Sequence, residues 1–94
     1  MDKKTEEFYS RLSQELDNTS TWPGEYLYKF IVPTDQKKIE EVENAFDNMG
    51  AVIQTTQSKT GKYTSLSVNV MMDNPESVVE KYIKVSNIEG IISL

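Results

Sequence analysis

Apolar residues recur along this chain with two distinct periods. In residues 5–17 Phe8, Leu12 and Leu16 fall at i, i+4 and i+8, with Tyr9 beside them. That spacing predicts an amphipathic helix, with Thr5 as a candidate cap and Glu7 in the first turn. The polar run "DNTSTWPGE" follows as a linker. Residues 25–32, "EYLYKFIV", are aromatic and β-branched and predict a strand. Lys29 would be costly in a core, so Tyr28, Phe30 and Val32 are assigned inward. Leu27 and Ile31 then fall on the other face.

Pro33 closes that strand. Thr34 is the expected N-cap of a helix over residues 35–49, with Ile39, Val42, Phe46 and Met49 as its buried stripe and Gly50 beyond its end. Residues 51–58, "AVIQTTQS", predict a polar edge strand. The strand after them alternates cleanly, with Leu66, Val68, Val70 and Met72 inward and Ser65, Ser67, Asn69 and Met71 outward. Asn74 and Pro75 open a last helix that buries Val78, Val79, Tyr82, Ile83 and Val85. "GIISL", residues 90–94, predicts a short terminal strand.

After the leading helix the order is βαββαβ. Two helices with one apolar stripe each, and strands with one common apolar face, pack as a four-stranded antiparallel sheet with both helices on one side. This is the α+β, ferredoxin-like arrangement, here with an extra N-terminal helix. Residues 1–24 form the helix and linker, and 25–94 the ferredoxin-like domain.

Between the second and third strands lies "SKTGKYTS", residues 58–65. It is not a phosphate loop, because Thr56 and Tyr63 stand where Gly and Ser/Thr are needed and a strand follows instead of a helix. Nor is it a base-stacking strand, because Ser65, Ser67 and Asn69 follow Tyr63 on its face where aromatics are required. It reads as a hairpin. Ser58 to Gly61 fit a type I turn with Gly61 as the left-handed residue of a bulge, which sets Ser58 opposite Lys62, Val52 opposite Val68 and Gln54 opposite Leu66.

Charge narrows the partners. The chain has 94 residues and a net charge of −5. Residues 34–50 alone leave −3, from Lys37 and Lys38 against Asp35, Glu40, Glu41, Glu43 and Asp47. Lys59 and Lys62 make the hairpin the one basic element, too small for a nucleic-acid partner. The chain has no cysteine and no histidine, which removes disulfides, thiol nucleophiles and Cys/His zinc sites. No cofactor, metal site or catalytic residue is expected. Glu40, Glu43 and Asp47 share a helix side but read as a solvated face. No apolar run is long enough for a membrane span and no secretory signal opens the chain, so the default expectation is cytoplasmic.

"WPGEYLYKFIVP", "QSKTGKYTSLSVNVMM" and "GIISL" together resemble the YbeD-like family of small uncharacterised bacterial proteins, over residues 22–94. The most specific part is Ser58, Lys59, Gly61, Tyr63 and Ser65. The resemblance implies a fold similar to ACT regulatory domains and a regulatory role, in some cases linked to lipoate metabolism, with no established reaction. The sequence departs from that pattern where Pro33 stands in place of a glycine used by amino-acid-binding ACT domains.

The expected function is therefore a non-enzymatic regulatory or protein-interaction domain, with an unknown protein partner or self-association. Its candidate interaction surface is Leu27, Ile31, Ile53 and Met71, with Lys59, Lys62 and Tyr63 at the hairpin. The leading helix is the competing cover for that apolar patch. The alternative is an ACT-like regulator holding a small molecule at a subunit interface.

Overall fold

The computed structural model describes residues 3–94; Met1 and Asp2, the start of the expected 1–24 unit, lie outside the described residues. Seven elements follow one another: α1 (Lys3–Thr19), β1 (Gly24–Pro33), α2 (Gln36–Ala45), β2 (Val52–Gln57), β3 (Tyr63–Met72), α3 (Pro75–Val85) and β4 (Ile92–Ser93). The strands form one antiparallel sheet in the order β2-β3-β1-β4. With two crossover helices on one face, this is the ferredoxin-like architecture, extended by α1.

The core lies between sheet and helices. Tyr28, Phe30 and Val32 of β1 and Leu66, Val68, Val70 and Met72 of β3 are buried against Val42, Phe46, Val78, Tyr82 and Val85. Alternation along both long strands sends every second side chain into this layer, as expected of a sheet covered on one side. Tyr28 stacks on Phe30 at 5.6 Å and donates its hydroxyl to the Val78 carbonyl at 3.0 Å. Thr64, the one buried polar residue among the described residues, shares a 2.9 Å hydrogen bond with Thr34.

The caps explain the helix ends. Asn74 and Ser77 form a reciprocal capping box at the start of α3, with Pro75 in the first turn. At α2 the cap is Asp35, whose carboxylate accepts the Lys37 N–H at 3.0 Å, and not the expected Thr34. The Thr34 hydroxyl is used elsewhere, in its 2.9 Å bond with Thr64, and its N–H bonds the Lys62 carbonyl at 2.9 Å. The helix also stops at Ala45, four residues short of Met49. Phe46 and Asp47 bond carbonyls three residues back, and Asn48 and Gly50 both take positive φ, so the chain turns early toward β2.

Two further expectations change. The first helix already includes Lys3 and Lys4, ahead of Thr5, and its half-buried side is Tyr9, Leu12 and Leu16; Phe8 is 63% exposed. Second, β2 pairs one residue away from the expected register: Ile53 faces Val68, Thr55 faces Leu66 and Gln57 faces Thr64. The turn is the cause. Gly61 N–H bonds the Ser58 carbonyl at 2.9 Å, as a type I turn requires, and Gly61 has φ 76°. But Ser58 N–H bonds the Tyr63 carbonyl at 2.8 Å, and the Ser58 hydroxyl accepts the Tyr63 N–H at 3.2 Å. Ser58 therefore faces Tyr63 and not Lys62, and the loop is one residue longer. A one-residue shift turns the whole strand over.

Candidate functional site

The flip of β2 redefines the open face of the sheet. Ile53 packs against the core and leaves the expected surface. Val52 takes its place, 62% exposed. Leu27 and Met71 do lie on the open face, at 52% and 57% exposure. Register places Val52, Asn69 and Leu27 in one row across three strands, with Met71 and Glu25 in the next row. Leu27, Val52, Gln54, Ser67 and Asn69 enclose a shallow recess of about 140 Å³.

The remaining candidates gather at the other end. Ile31 is half-buried beside Ile92, its partner on β4. Tyr63 faces Pro33 and is half exposed. Lys59 and Lys62 are exposed in the turn beyond it. Met71 and Tyr63 are eight residues apart on one strand, about 26 Å at roughly 3.3 Å per residue. The candidates thus form two groups and not one patch. Neither Ile92 nor Val52 was legible, because each has an apolar, β-branched neighbour, Ile91 or Ile53, and the chain does not say which of the two faces out.

The first helix does not cover this face. It lies against α3 on the helix side, with Tyr9, Ser13 and Glu6 across from Val79, Ile83 and Glu80. Trp22 fixes its end by donating Nε1–H to the Leu16 carbonyl at 3.1 Å. Between α1, α3 and the sheet edge runs a cleft of about 260 Å³, lined by Phe8, Tyr9, Leu12, Tyr26, Tyr82 and Leu94. At its floor the Tyr26 and Tyr82 hydroxyls hydrogen-bond at 2.8 Å. Burial pushes the Tyr82 phenol well above its ordinary value, and the bond to Tyr26 pushes it further. Burial does the same to Tyr28. Both are held neutral, the opposite of what a base or nucleophile needs.

Charge is sparse on the open face and of both signs on the helix side. The open face carries Glu25 and Lys29, which cancel, among Ser, Thr, Asn, Gln and apolar residues. Helices α2 and α3 carry the exposed acids Glu40, Glu41, Glu43, Glu76 and Glu80 alongside the exposed bases Lys37 and Lys84. Lys81, between α2 and α3, donates to the Ala45 carbonyl at 2.8 Å and lies 5.9 Å from the Phe46 ring. Desolvation lowers its pKa, with a smaller push from Lys84.

No group of three or more acidic residues among the described residues could hold a metal ion, and no helix there is long and apolar enough to cross a membrane. Pro33 ends β1 at the loop leading to α2. Its ring packs on Gly90, where an added Cβ would come within 2.8 Å of the Pro33 Cγ. Gly90 has φ 82°, so that position suits glycine twice over.

A family model described as protein of unknown function (DUF493) matches residues 17–94, from the last turn of α1 to β4. No curated protein and no solved structure matches the chain.

Proposed function

We propose that this chain, which belongs to the DUF493 family, is a non-enzymatic interaction module that docks a protein on the open face of its sheet. The observation that carries this reading is the uncovered row of Leu27 and Val52 with Met71 beside it, each more than half exposed. A helix on the far side leaves them to solvent. An apolar surface of this kind, with polar neighbours around it, is what a protein partner covers. Regulation would then be exerted through that contact.

The test is site-specific photo-crosslinking in cells that make the protein, with a photoreactive residue at Met71 or, as control, at Glu41 on the helix side. Discrete adducts at Met71 and none at Glu41 support the reading. No adduct at Met71, or equal adducts at both positions, overturns it.

A second reading, an ACT-like small-molecule regulator, is favoured by the cleft of about 260 Å³ beside α1. Its apolar lining and paired hydroxyls suit a small ligand with one polar end. A metabolite screen by thermal shift, with Phe8→Ala and Leu12→Ala abolishing any shift found, would support this over the docking reading.

A further inference from the structure

We infer that the partner of the open sheet face is a second copy of this chain, bound face to face about a two-fold axis along the Val52, Asn69, Leu27 row. This rests on the docking reading above and names its occupant.

Charge favours this occupant. The open face offers a partner one acid and one base, Glu25 and Lys29, so it favours neither a basic nor an acidic protein. The open face is nearly neutral, so two acidic chains meet there with their helices pointing apart and their like charges farthest from each other. The face is also self-complementary in register. Glu25 and Lys29 lie on the same face of β1, two residues either side of Leu27. A two-fold axis in the plane between the sheets, across the strands at Leu27, reverses strand direction. It lays Glu25 of each copy over Lys29 of the other, Leu27 over Leu27 and Val52 over Val52. Asn69 meets Asn69, and an amide carries both donor and acceptor, so the pair satisfies itself. Such an interface is isologous and closed, so it stops at two copies.

Area sets the strength. With the axis at Leu27, residues 24–30 of β1 and 66–72 of β3 overlap, with Val52 at the start of β2, a flat area of about 240 Å² at ~3.3 Å per residue and ~4.8 Å between strands. A standard interface buries about 800 Å² per partner. The dimer is therefore weak and concentration-dependent, with a Kd above about 1 µM.

The experiment is sedimentation equilibrium of the purified full chain from about 10 µM to 1 mM, a range chosen to bracket such a Kd. The expected result is a monomer that becomes a dimer and goes no further. Glu25→Lys and Lys29→Glu should each weaken the dimer roughly tenfold, because each reverses one member of two symmetry-related pairs. The double reversal should restore it. Glu25→Lys also lowers the net negative charge, so general repulsion alone would strengthen association; the two explanations differ in sign. Leu27→Asp should abolish the dimer, and thermal melts of each variant check that the fold is kept.

A monomer throughout the range overturns the inference. So does a dimer that the single reversals leave unchanged, or one that the double reversal fails to restore. The docking reading is judged separately: a purified monomer whose Met71 crosslinks to a different protein in cells refutes self-association and keeps the open face as a docking surface.

Discussion

Two buried phenols predict an alkaline weakness in this protein. Tyr28 is fully buried and Tyr82 nearly so, and both are held above the ordinary tyrosine pKa, chiefly by burial. In the unfolded chain each ionises near pH 10, where the folded chain still holds the proton. The stability this gives is complete below pH 10 and is lost as pH rises beyond it. By pH 11 the loss is about 1.4 kcal/mol for each phenol, or about 3 kcal/mol together. That is a large share of the roughly 5–15 kcal/mol a domain of this kind has in total. Tyr28→Phe removes one titration and the 3.0 Å bond to the Val78 carbonyl. The carbonyl keeps its place in the α3 ladder, so the cost at pH 7 is about 1 kcal/mol. At pH 11 the variant has no Tyr28 phenol to ionise, and its deficit should vanish or reverse slightly. Urea melts of both proteins at pH 7, 10 and 11 measure this. The chain has no cysteine, so no thiol chemistry intrudes at high pH. Lys81, whose pKa is lowered, adds an opposing trend that is common to both proteins and cancels in the difference. A deficit that stays constant from pH 7 to 11 would refute the burial argument.

Three further outcomes are expected. Gly61 has φ 76°, and an added Cβ would meet only the Gln57 Oε1 at 3.9 Å, an ordinary contact, so Gly61→Val should cost roughly 1–2 kcal/mol for backbone conformation, and Gly61→Asn less, by urea melts. Val52→Asp should change monomer stability by no more than about 0.5 kcal/mol, whereas Ile53→Asp, facing the core, should cost about 1–3 kcal/mol; the reverse order would restore the shorter turn. Replacing Lys59 and Lys62 together by Ser should stay within roughly ±0.5 kcal/mol in the same melts, since both side chains are exposed in the turn.

Most of the fold is legible in the chain itself. Wherever one period dominates, the outcome is unambiguous: β1 and β3 alternate so regularly that a shifted pairing would bury Lys29 or Asn69. The cap of α3 is equally local, because Asn74, Pro75 and Ser77 are enough to start a helix. The order of these elements, with apolar surface on one side of each, leaves the ferredoxin-like packing as the economical solution. The two lysines and Gly61 also declare a turn without help from the rest of the molecule.

Tertiary structure decided what those local signals leave degenerate. Val52 and Ile53 are near-equal in size and apolarity, so β2 alone can face either way. The choice came from the bonds between Ser58 and Tyr63, which lengthen the turn by one residue and send Ile53 inward. The end of α2 depended on where the chain had to turn to reach β2. In α1, Phe8 and Tyr9 are both aromatic and adjacent, and the helix could bury either. Tyr9 faces α3, where buried Val79 and half-buried Ile83 offer apolar surface, while Trp22 pins the helix end. That long-range placement put α1 on the helix side and left the other side of the sheet open. Periodicity says which residues share a face; only the assembled molecule says which face remains uncovered.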